Sequence, residues 1–167
     1  MRALLLTTLA TLALAGSAQA ADPLSTVPNV EVTLSPELQK KAAEEYGVKD
    51  VQRLADELRK DVERELQRTG LLTGGRMELT LVDARPNRPT FKQLGDRPGL
   101  SLESFGIGGA AIEGKAISVD GHVTPVRYDW YETDIREARA STTWSDAGRA
   151  IDRFAYQLGR GNVYARR

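Results

Sequence analysis

Three carboxylates, Asp129, Glu132 and Asp134, lie close together in this chain. Paired carboxylates are what glycoside hydrolysis needs: one acts as general acid, the other as base or nucleophile. The same residues are ordinary on the solvent face of a strand. His122 is the only histidine, so any base or metal role for it would need carboxylate neighbours. The run Phe105-Gly106-Ile107-Gly108-Gly109-Ala110-Ala111 contains G-x-G-x-x-A. A dinucleotide fingerprint requires that run between a strand and a helix. Here a proline-rich segment precedes it and a strand pattern follows, so the glycines read as sites of close backbone approach. Ser101, Ser118 and Ser145 lack a G-x-S-x-G setting. The chain has no cysteine, which excludes thiolate zinc sites and a cysteine nucleophile. No catalytic residue, metal ligand or cofactor site is assigned.

Aromatic residues give a different kind of candidate. Alternation along residues 122–133 sends Tyr128 and Trp130 to one face and Tyr131 to the other, together with Arg127. Arg127, Tyr131 and His122 are therefore the candidates for a partner or glycan surface.

These residues need elements to hold them. Residues 110–119 and 122–133 form a hairpin around Asp120-Gly121. A three-residue loop with Gly121 left-handed pairs Ser118 with His122, Gly114 with Val126, Ile112 with Tyr128 and Ala110 with Trp130. That register gathers the apolar residues on one face and sets Glu113 opposite Arg127; a one-residue slip would scatter them. Pro125 places this strand near an edge.

Upstream, Val30–Leu34 alternates as a short strand. Ser35-Pro36 then opens a helix carrying Leu38, Ala42 and Tyr46 and ending at Gly47. A second helix from Asp50 carries Val51, Leu54, Ala55, Leu58, Val62 and Leu66 on one stripe and stops at Gly70. Met77, Leu79 and Leu81 mark another strand. Segment 84–105 holds three prolines, each preceded by arginine, and reads as a long loop unable to hold a helix. A last helix starts near Thr143, with Thr143 and Asp146 at capping-box spacing. Its stripe is Trp144, Ala147, Ala150, Ile151, Phe154 and Leu158. The order β-α-α-β-β-β-α predicts an α+β two-layer sandwich: a mostly antiparallel sheet of three to five strands with helices on one face.

Residues 1–20 read as a cleaved signal peptide: Arg2, an apolar stretch from Ala3 to Ala15, and Ala18-Gln19-Ala20 for cleavage. About 13 helical residues reach only ~20 Å, short of a ~30 Å hydrocarbon core. Residues 21–29 are a flexible lead-in, 30–161 one domain and 162–167 a tail. Export without cysteine suits a bacterial periplasm or an extracellular space. The 23 basic and 23 acidic residues argue against nucleic acid or an anionic membrane as partner, and no later segment is apolar enough to span a bilayer.

Three further groups of residues carry a resemblance: Gly109-Ala110-Ala111-Ile112-Glu113, Val119-Asp120-Gly121, and Trp144-Ser145-Asp146-Ala147 with Ala150 and Phe154-Ala155. In that order they resemble a family of bacterial exported proteins, mostly lipoproteins, known as a domain of unknown function. The likeness covers about residues 77–158. In layout the chain is similar to small envelope domains such as the amino-terminal domain of the TolB protein. It departs from the family in lacking the lipidated cysteine. The resemblance implies an envelope role and brings no catalytic residues. The expectation is a non-enzymatic interaction or assembly module whose partner is an envelope protein. A small-ligand or polysaccharide binder is the alternative, and a hydrolase using acidic residues is third.

Overall fold

The computed structural model describes residues 28–137 and 142–162. The expected signal peptide 1–20 and the end of the tail lie outside them. Four strands form one sheet in the order β1 (Asn29–Leu34), β2 (Arg76–Arg85), β3 (Gly109–Ile117), β4 (Val123–Tyr131). β1 runs parallel to β2, and the other pairs are antiparallel. Helix α1 (Pro36–Lys41), a π-helical turn at Ala42–Tyr46, and α2 (Val48–Thr69) connect β1 to β2. α3 (Phe91–Asp96) lies between β2 and β3, and α4 (Ser145–Leu158) closes the fold. Helices α2 and α4 cover one sheet face, and among the described residues the other is open: an α+β two-layer sandwich. No helix among the described residues is long and apolar enough to cross a membrane.

Local chemistry explains the elements. Ser35 Oγ caps α1 by accepting from Leu38 N at 3.1 Å and also donates to Val82 O at 2.8 Å, tying the helix start to β2. Gly47, at φ 100°, turns the chain into α2, which begins two residues before the expected Asp50. Gly70, left-handed at φ 71°, ends that helix. The expected apolar stripe of α2 is buried as read. On its polar side Arg59 and Glu63 form an i,i+4 ion pair at 2.9 Å.

Hairpin β3–β4 has the register that face parity demands. Ala110 pairs with Trp130, Ile112 with Tyr128, Gly114 with Val126 and Glu113 with Arg127, and Gly121 has φ 82°. β4 is an edge strand, as Pro125 indicates.

Two expectations are corrected. Segment 84–105 does hold a helix, because each proline restricts only the residue before it. Residues 90–96 lie between Pro89 and Pro98 and are free to turn. Thr90 and Gln93 form a reciprocal capping box, with Gln93 N donating to Thr90 Oγ1 at 3.2 Å and Thr90 N to Gln93 Oε1 at 3.0 Å. The element order is thus β-α-α-β-α-β-β-α. The expected capping box of α4 does not form either: its N-cap is Trp144 without a side-chain bond, because the Asp146 carboxylate is used elsewhere.

The core joins both helices to the sheet through Leu54, Leu58, Val62, Ile112, Ile151, Phe154 and Leu158. At the polar edge of the α2–α4 contact sit Glu57, Asp61 and Asp152. Burial first, then the Asp61 charge, raise the Glu57 and Asp152 carboxyls above their ordinary values. A folded-state value above the unfolded one means the folded chain holds its proton more tightly. The interface therefore strengthens as pH falls through the raised values, and the gain is complete below the ordinary carboxylate range. Asp152→Asn should raise resistance to urea at about pH 7 and make little difference near pH ~3, below the ordinary carboxylate range; a difference equal at both pH values would refute the sign.

Candidate interaction surface

Asp146 and Asn87 are both 1% exposed and hold the base of segment 86–107. Asn87 Nδ2 donates to Asp146 Oδ2, while Asp146 N donates to Asn87 Oδ1 at 2.8 Å. Gly108 N donates to the same Asp146 oxygen at 3.0 Å. Asn87 N reaches Thr143 O, and Gly106 N reaches Asn87 O, each at 2.7 Å. The start of α4, the end of β2 and the approach to β3 are thus fastened at one point. Asp146, two residues after Trp144, is thus a fastener, and among the described residues its cationic neighbour is Arg149, 3.5 Å away.

Above this base the segment displays apolar side chains to solvent. Phe91 is 86% exposed and Leu102 66%; Leu100, Phe105 and Ile107 are also exposed. Phe91 and Leu102 line a cleft of about 140 Å³ with Pro89, Thr143, Trp144, Asp50 and Arg53. The indole N–H of Trp144 is buried without a hydrogen-bond partner among the described residues. Pro89, Leu100 and Phe105 line a neighbouring depression. Arg88 holds the two together, donating to Leu102 O at 2.9 Å and lying 6.0 Å from the Phe105 ring. Arg97 anchors the far end of α3 to Glu45 at 2.9 Å.

The open sheet face is polar. Glu31, Thr33, Glu78, Thr80, Glu113 and Lys115 line a shallow concavity of about 620 Å³ that contains no aromatic side chain. Glu78 is engaged by Lys115 and Arg76, each at 2.9 Å. At the rim, a bulge at Leu81–Asp83 turns Asp83 towards Lys41, 2.7 Å away. The Tyr131 hydroxyl donates to Asp83 at 2.9 Å, and the Arg85 guanidinium lies 4.7 Å from the Tyr131 ring. Burial would raise the Asp83 carboxyl, but the hydrogen bonds from Lys41 and Tyr131 outweigh it and hold it low. Burial, reinforced by Asp83, drives the Tyr131 phenol upward. Neither group exchanges a proton near neutral pH, so the cluster anchors α1 to the sheet.

The three surface candidates do not converge. Tyr131 belongs to the Asp83 cluster. Arg127, on the same face, pairs with Glu113 at 3.4 Å. His122 is exposed at the turn, where its backbone N–H donates to Asp120 Oδ1 at 3.2 Å. Nor do the carboxylates converge on a common point. Asp129 is on the sheet face. Glu132 faces Arg149 at 3.4 Å, and Asp134 binds Arg136 at 2.5 Å. Among the described residues no three His, Cys, Asp or Glu are grouped to hold a metal ion.

The glycine run is explained by close approach. A Cβ on Gly108 would lie 2.6 Å from Arg85 O and one on Gly109 2.3 Å from Trp130 O. Sequence reasoning missed the apolar display, although Phe91, Leu100, Leu102, Phe105 and Ile107 were there to be seen in a segment otherwise composed like a turn. No protein-family model, curated protein or solved structure matches the chain, so function is argued from these surfaces.

Proposed function

We propose that the protein is a non-enzymatic interaction module of a bacterial cell envelope, exported by residues 1–20, and that segment 86–107 is its contact surface. The observation that carries this reading is the exposure of Phe91 and Leu102 on a segment whose base is fastened by buried hydrogen bonds. A monomer gains nothing from holding such residues in water, and clustered exposed apolar side chains with a polar rim mark protein contacts. The sequence resemblance to exported bacterial domains supports the location. The aromatic-lined cleft beside this segment, at about 140 Å³, is below the ~300 Å³ of typical ligand sites and suits a single partner side chain.

Crosslinking in host cells, followed by isolation of the protein, tests the reading. Phe91→Ser with Leu102→Ser should abolish recovery of the partner while leaving stability within about 0.5 kcal/mol, since both side chains are in solvent. Unchanged recovery, or recovery of a small molecule alone, would favour the ligand-binding alternative.

A further inference from the structure

Among the described residues β4 has a neighbour on one side only. Ser118 N donates to His122 O and Glu132 N to Gly108 O, each at 3.0 Å. Alternation along an antiparallel pair then aims the N–H and C=O groups of Thr124, Val126, Tyr128 and Trp130 at β3. Those of Val123, Arg127, Asp129 and Tyr131 point outward, as does the carbonyl of Pro125. Pro125 therefore removes no bond from the β3–β4 ladder, but it leaves the outer edge with one donor fewer.

We propose that this edge pairs antiparallel with β4 of a second copy of the chain, about a two-fold axis at Tyr128, joining two four-stranded sheets into one. Charge selects the register. Only a two-fold at Tyr128 sets Arg127 of each copy opposite Asp129 of the other. A two-fold at Arg127 or at Asp129 would set like charges face to face. Arg127 pairs with Glu113 of β3 at 3.4 Å yet keeps 71% of its side chain exposed, and Asp129 has no ion-pair partner among the described residues. In this register Tyr131 faces Pro125, whose carbonyl accepts although its nitrogen cannot donate. On the helix side Trp130 faces Val126. The arginines of α4 near this edge are already occupied: Arg149 by Glu132 and Asp146, and Arg153 stacked 4.3 Å from the Trp130 ring. A single strand edge buries less than the ~1,200 Å² of a standard interface, so the dimer is weak. Arg127 and Asp129 lie outside segment 86–107, so different variants test the two surfaces.

Sedimentation equilibrium at rising concentrations of the purified protein tests this, with melting curves to confirm that each variant folds. The wild-type chain should dimerise. R127D alone and D129R alone should each weaken the dimer at least tenfold, and R127D/D129R together should restore it because opposite charges meet again. A monomer at every concentration overturns the proposal, including one whose edge binds a foreign peptide. A dimer indifferent to the single reversals overturns it equally.

Discussion

Asp146→Ala should destabilise the protein by about 2–6 kcal/mol. It removes the acceptor shared by Asn87 Nδ2 and Gly108 N, and each orphaned buried donor costs ~1–3 kcal/mol. That is a large part of the ~5–15 kcal/mol that holds a domain together. Asp146→Asn keeps an oxygen that can accept from both donors and loses mainly the charge near Arg149, so it should cost only about 1 kcal/mol. Chemical denaturation of the two variants measures the gap. Limited proteolysis gives a second readout: the alanine variant should be cut first within 86–107, because the lost bonds fasten that segment. Equal stability of the two variants would show that the carboxylate is not the fastener.

Gly109→Ala should be still more damaging, with a loss above ~4 kcal/mol or a failure to accumulate folded protein. The added Cβ would meet Trp130 O at 2.3 Å, Tyr131 Cδ1 at 2.5 Å and Tyr131 Cα at 2.6 Å. Two of these belong to backbone that cannot swing aside without breaking the β3–β4 ladder. Gly109 also has φ 154°, which an L side chain resists. Gly106→Ala meets nothing within 4 Å and should stay within about 0.5 kcal/mol of wild type. The contrast separates two accounts of one motif. A dinucleotide loop would depend on Gly106, the first glycine of the fingerprint, and not on Gly109. Thermal melts of both variants decide between them.

Where structure is local, the sequence declares it. The stripe Val51–Leu66 and the cap Ser35-Pro36 are set within a few residues, and hairpin register follows from parity because one slip reverses every side chain. Helix α3 was also locally encoded, by Thr90 and Gln93, yet the flanking prolines hid it; their steric reach is one residue, not a whole segment. The parallel β1–β2 pairing could not be read, since it depends on how two helices return the chain across the sheet. Asn87 and Asp146 are 59 positions apart, and nothing near either residue announces the other. Thr143 even offered Asp146 a plausible local role in capping. The buried tie to Asn87 and Gly108 takes the carboxylate instead, satisfying donors that water cannot reach. Tyr131 shows the same limit: parity placed it on the outer face, but only the β2 bulge brings Asp83 and Arg85 to it.

The apolar display escaped notice for a related reason. Turn-rich composition suggests polar loops, whereas here a capped helix and a buried fastening let a proline-rich segment hold Phe91 and Leu102 away from the core. If Asp146→Ala loosens the base, it should weaken partner capture even though it touches no exposed residue of the surface.

The most direct measurement places a photoreactive amino acid at position 91, at 102, and at 60 on the solvated side of α2, followed by illumination of living host cells. A contact surface on segment 86–107 gives one discrete protein adduct from positions 91 and 102, lost when the other residue of the pair is changed to serine, and none from position 60. Adducts equally frequent at all three positions, or none at 91 and 102, would contradict it.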